Sequence, residues 1–174
     1  MKPRVDSVEL RALGRTYAIR YMQANLPAGT VNFVAPAAGA TLIVQCRDPA
    51  NPPRLAFKEA LRAWLREKAR AHIAPLLSQL AREHGFEPPS AVRIAFQRSR
   101  WGSRSTTGVI SFSAFTLFLP PELLRHVAVH ELCHIRHMNH GMAYQTLLKQ
   151  LDPKTPLHEE QLKKAGAYLP EWIL

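Results

Sequence analysis

Cysteine is scarce in this chain: Cys46 and Cys133 are the only two in 174 residues. Two thiols cannot build a disulfide framework, so stability must come from a packed core, and the pattern fits a reducing compartment. Each is read as a small buried hydrophobe. No run of eighteen apolar residues occurs, so no membrane-spanning helix is expected. The opening Met1-Lys2-Pro3-Arg4-Val5-Asp6 turns polar at once and lacks an apolar stretch, so no secretory signal is expected and the location expected is cytoplasmic. Internal repeats, low-complexity tracts, a cysteine-rich zinc module and a glycine-rich phosphate loop are also missing. What is present is a 47% hydrophobic share, too high for a disordered chain, in a length that suits one ordinary domain.

Acidic residues are also few. Lys and Arg total 23 against 13 Asp and Glu, a net charge of +10. Such a field draws anions: nucleic acid, nucleotides or acidic peptides. No Lys/Arg-rich block or nucleic-acid-binding signature accompanies it. The partner expected is therefore an anionic or peptide substrate, with nucleic acid an option that no motif supports.

The apolar pattern predicts an α+β fold. In residues 1–47, Tyr17, Ile19 and Tyr21 alternate with polar neighbours, and Val31–Val34 and Thr41–Val44 form two further short strands. Turns are expected at Pro27–Gly29 and Pro36–Gly39. The proline-rich stretch Asp48–Pro53 ends this part, which suggests a β-rich subdomain over 1–53 and a second unit over 54–174. Leu61, Trp64, Leu65, Ile73, Leu76, Leu77 and Leu80 mark an amphipathic helix from Leu55 to about Glu83. Pro75 is expected to kink or split it, and Gly85 to stop it. Val92/Ile94/Phe96 and Ile110/Phe112/Ala114 alternate on either side of a basic, turn-forming stretch, which reads as a hairpin. Gly102 and Gly108 are read as turn residues and Trp101 as a packing residue. Pro121 and Glu122 open a helix expected to reach about His137, and helices over 141–151 and 157–167 follow.

The chemistry lies in His130-Glu131-Leu132-Cys133-His134. Histidines four apart on a helix stand about 40° apart around the axis and one turn apart along it. Both imidazoles can then reach one ion at roughly 2.0–2.1 Å. Glu131, the next residue round, stands off from the ion and can hold a water. Chance would produce the motif roughly 0.02 times in such a composition. Its neighbours Val127, Ala128, Val129, Leu132, Cys133 and Ile135 are uncharged, so the helix reads as buried, and ion binding accounts for polar groups that are otherwise costly there. A catalytic zinc needs a third protein ligand, and His140 is the choice. The helix must then break after His134, and Asn139, which tolerates the left-handed conformation, and Gly141 make that break feasible. Glu159, Glu160, Glu171 and His137 are the rivals, although on a straight helix His137 falls about 10.5 Å along the axis from His130. His126 is read as cleft wall or surface; His72, His84 and His158 have no supporting pattern.

Arg100-Trp101-Gly102-Ser103, then Val129-His130-Glu131-Leu132-Cys133-His134 and Met138-Asn139-His140, resemble the YgjP-like metallopeptidase-type proteins, relatives of the SprT-like and other zincin-fold proteins. The likeness is specific over about residues 92–150. It implies a zincin-like core with an N-terminal β-rich part, one zinc on His130, His134 and His140, and Glu131 as base. The family commonly has a cysteine where Arg104 stands here. The spacing also echoes the longer metzincin motif, but His137 occupies its glycine position and no methionine turn follows.

These readings converge on a zinc-dependent, peptidase-like hydrolase that uses a zinc-bound water with Glu131 as general base. Arg100, Arg104 and Tyr144 are candidates for binding substrate or a developing oxyanion. Val109–Ser113 is expected to be the edge strand that takes an extended peptide. Two alternatives remain: a nucleotide phosphoanhydride hydrolase, suggested by the arginines and the positive field, and a nucleic-acid-associated SprT-like protease.

Overall fold

A computed structural model describes residues 4–36 and 39–173. Met1–Pro3 of the opening stretch and Ala37–Ala38 of the expected turn lie outside the described residues.

The three expected N-terminal strands are β2 (Arg15–Gln23), β3 (Asn32–Val34) and β4 (Thr41–Cys46). Another precedes them, β1 (Ser7–Leu10), whose inward residues are only Val8 and Leu10, too few to read as a period. The sheet order is β1-β2-β4-β3. After β2 the chain passes outward to β3, and β4 returns between them, parallel to β2, with Ile19 opposite Leu42 and Tyr21 opposite Val44. Tyr17, Ile19, Leu42, Val44 and Cys46 are buried on one face, as strict alternation requires.

Helix α1 (Arg54–His84) packs on this sheet through Phe57 and Trp64 and buries Leu61, Leu65, Ala69, Ile73, Leu77 and Leu80 in the same core. Tyr17 meets Trp64 edge to face, with centroids 4.9 Å apart. Pro75 does not split the helix, which runs unbroken through it. The missing amide and ring clash cost about 3 kcal/mol, while each of the flanking buried residues Ile73, Leu77 and Leu80 contributes about 1.5–3 kcal/mol. Gly85 ends the helix at φ 64°, and Phe86 N–H reaches back to the Ala81 carbonyl (2.9 Å). Leu61 is fully buried, so Leu61→Ala is expected to cost about 2–5 kcal/mol in urea unfolding.

The second sheet corrects the hairpin reading. Its strands are β5 (Ala91–Ala95), β6 (Gly102–Arg104) and β7 (Val109–Ser113), in the order β5-β7-β6. The two alternating segments pair in parallel, with Ile94 opposite Phe112. The hairpin is β6–β7, with Ser103 opposite Ser111 and a turn closed by Gly108 N–H to the Ser105 carbonyl (3.1 Å). β6 is three residues long and has no apolar alternation, so pattern reading missed it. A consequence is that β7 is the central strand, not an edge.

Three α-helices follow among the described residues, α2 (Pro121–Cys133), α3 (Met142–Leu151) and α4 (Thr155–Lys163), and two short 3-10 turns come after them. One continuous apolar cluster runs from Val8 and Leu42 through α1 to Phe112, Val129 and Leu148. It seats α2 firmly beneath the second sheet. Among the described residues, no helix is long and apolar enough to cross a membrane.

Candidate active site

Helix α2 ends at Cys133, four residues earlier than the pattern suggested. Ile135 and Arg136 bond back three residues, to Leu132 and Cys133, which tightens the chain into a narrower turn. The following reversal uses no left-handed residue: no described non-glycine has positive φ, and Gly141 has φ −67°. This turn brings the His137 carbonyl back to His134 Nδ1 (3.0 Å). With Nδ1–H donating to that carbonyl, the Nε2 lone pair of His134 is left free to ligate.

His130, His134 and His140 converge, with ligating nitrogens all within 4.8 Å of one another. His130 Nε2 and His140 Nε2 are 3.3 Å apart. The edge of a tetrahedron with 2.0–2.1 Å legs is roughly 3.3–3.4 Å, so the pair is spaced as two zinc ligands are. Burial first, then the neighbouring imidazoles, push His130 down to about 3, which keeps it neutral and able to ligate. Burial lowers His134 as well. No glutamate joins this cluster among the described residues; Glu160 is paired with Lys164 (2.9 Å).

Tyr144 is fully buried beneath the three rings. It stacks on His134, with centroids 4.7 Å apart and planes 27° apart, and its hydroxyl donates to the His130 carbonyl (3.2 Å). That occupied, inward-facing hydroxyl makes Tyr144 a support for the histidines and turns it away from the substrate role expected of it.

Glu131 is 3% exposed, and its Oε2 is buried without a partner. Burial pushes its carboxyl up to about 7, opposed by the Arg100 guanidinium. Leaving a carboxylate oxygen orphaned is costly, and a site that holds a cation and a water accounts for it. Gly102 explains how it fits. A Cβ on this residue would lie 2.6 Å from Glu131 Oε1 and 2.9 Å from its Cγ. Gly102 is thus required by close approach, in a strand, and not by a turn.

The raised Glu131 carboxyl has a measurable consequence in the metal-free protein. Its folded value lies above the ordinary 4.5, so the folded state holds a proton that the unfolded state has released between 4.5 and about 7. Stability therefore falls as pH rises through that window. Relative to Glu131→Gln, metal-free wild type is expected to lose about 3 kcal/mol between pH 4.5 and 7.5. Urea unfolding of both proteins across that range checks it; parallel curves would refute it.

Of the two arginines, Arg100 is exposed and near Glu131. Arg104 reaches the other way. Its Nη1 donates to the His134 carbonyl (3.2 Å) and contacts Met138 Sδ (3.0 Å), so it braces the end of α2. His126, expected at the cleft wall or surface, is buried against Asp152, and His158, for which the sequence has no supporting pattern, is buried against the same residue. No local signal joins these three, because they come from different elements.

In comparison with known proteins, residues 3–165 match the family described as YgjP-like, metallopeptidase domain. No curated protein matches the chain. Among solved structures, it is similar to the metallopeptidase zymogen abylysin of Pyrococcus abyssi, at 21% identity over 53% of this chain and 92% of that one, with a TM-score of 0.49. It is also similar to the zymogen jannalysin of Methanocaldococcus jannaschii, at 21% identity over 56% and 97%, with a TM-score of 0.47.

Proposed function

The chain belongs to the YgjP-like metallopeptidase-domain family, and from that premise we propose that it is a zinc-dependent peptidase in which Glu131 is the general base. The observation that carries this reading is the convergence of the His130, His134 and His140 imidazoles, with the His130–His140 pair at ligand spacing, beside a buried, unpartnered carboxylate oxygen. His130, His134 and His140 would hold the ion. Zinc, when bound, supplies a Lewis acid that polarises a carbonyl and acidifies water.

The remaining steps belong to the chain. Glu131 Oε2 is buried with no competing donor, so it can accept a proton from the attacking water and return it to the leaving amine. Exposed Arg100 is the side chain that can meet negative charge developing on the substrate. The Tyr144 hydroxyl already donates to the His130 carbonyl, and Arg104 Nη1 to the His134 carbonyl. An extended peptide would pair along β6, an edge strand lying against Glu131 through Gly102, and not along the central β7.

Zinc content of purified wild type and His140→Ala tests the site, with peptide cleavage measured on the same samples. About one zinc per chain, lost or greatly weakened in the variant together with cleavage, is expected. Full retention of metal by His140→Ala would remove His140 from the ligand set. Release of pyrophosphate from nucleotides with no peptide cleavage would sink the peptidase reading.

A further inference from the structure

Beside the first cluster lies a second group of convergent ligands. His126 on α2, Asp152 at the end of α3 and His158 on α4 meet in the interior, at 1%, 6% and 7% exposure. His126 Nδ1 is 2.5 Å and His158 Nδ1 2.7 Å from the same oxygen, Asp152 Oδ2. The other oxygen, Oδ1, accepts the Lys154 amide (3.2 Å), and the Asp152 carbonyl accepts the Thr155 hydroxyl (2.6 Å). Asp152 is thereby oriented by its own turn and presents one lone oxygen to two imidazoles.

We propose that His126, Asp152 and His158 form a second site for a divalent transition metal, separate from the three-histidine site and bracing α2 against the α3–α4 joint. Two imidazoles and one carboxylate are a donor set that suits zinc and its neighbours. All three donors are supplied from rigid positions and buried, which favours an ion held in place over one exchanging at the surface. Burial alone would push the Asp152 carboxyl up, but the hydrogen bonds from His158 and His126 hold it below the ordinary range, so the carboxylate is charged and ready to ligate.

Without an ion, both Nδ1–H groups donate to Oδ2, which accounts for the short separations. Loading moves those two protons to the Nε2 side or to solvent, and the cation takes their place. The nitrogen–oxygen separations then open to roughly 3.3 Å, the edge of a tetrahedral site, a change that small side-chain rotations supply. The His126 and His130 rings are 6.5 Å apart, so the two ions would be neighbours on one helix.

The test is titration of the metal-free full-length chain with Co2+, read by its visible absorption, and with Zn2+ against a competing chelator. About two equivalents are expected for wild type, and about one each for His140→Ala and His158→Ala. About one equivalent in wild type, abolished by His140→Ala and untouched by His158→Ala, would overturn the proposal and leave the cluster as a hydrogen-bonded clamp only. If His158→Ala does not fold, Asp152→Asn in the His140→Ala background decides: loss of the remaining equivalent supports the site, and its persistence overturns it. A single wild-type equivalent that survives His140→Ala and vanishes in His158→Ala would uphold this site and sink the first.

Discussion

Glu131→Gln is expected to keep its metal and to lose about 10²- to 10⁴-fold in kcat, with KM little changed. Glutamine has nearly the shape of glutamate, so the packing against Gly102 survives, and the three histidines are untouched. What disappears is the buried, unpartnered carboxylate oxygen Oε2. Because burial pushes the wild-type carboxyl up to about 7 in the metal-free protein, the amide also removes a desolvation cost there, so the metal-free variant should be at least as stable as metal-free wild type at pH 8. Steady-state cleavage, metal analysis and thermal melting on one preparation separate these effects. A variant that cleaves as fast as wild type with metal in place would end the role given to Glu131.

Gly102→Ala should produce a loss of similar kind from a residue that makes no chemistry itself. The added methyl would sit 2.6 Å from Glu131 Oε1, closer than carbon and oxygen can approach. Glu131 is 3% exposed on a helix packed into the core, so the clash is not relieved by a swing into open solvent. Either the carboxylate moves or β6 lifts from α2. A displacement near 1 Å at a reacting group costs on the order of 10²-fold in rate, and overpacking adds about 1–3 kcal/mol of destabilisation. Zinc content should stay at the wild-type level, because no ligand is touched. In a Glu131→Gln background the same substitution should cost little further activity, since both changes act on one group. Full activity in Gly102→Ala would show that the contact has no functional weight.

The route from sequence to site was uneven for physical reasons. The α2 motif was legible because histidines four apart share a helix face by local geometry alone. The strands with Tyr17/Ile19 and Val92/Ile94 were legible because each repeats its alternation. β6 was not, having three residues and no apolar period, and with it went the sheet order and the identity of the edge strand. Pro75 suggested a kink or a split, and the split does not occur: a local penalty is outweighed by the burial of Ile73, Leu77 and Leu80.

By itself, then, the sequence determined an α+β chain with two histidines and a glutamate on one buried helix, since helical period and apolar alternation are properties of neighbouring residues. Only the tertiary structure decided that Gly102 abuts Glu131, that Tyr144 and the His137 carbonyl hold the ligand rings, and that Arg104 braces a helix end. It also decided that His126 meets Asp152 across 26 residues of chain. Those are contacts between elements, set by how the sheets and helices close on a shared core, and no period within a segment encodes them.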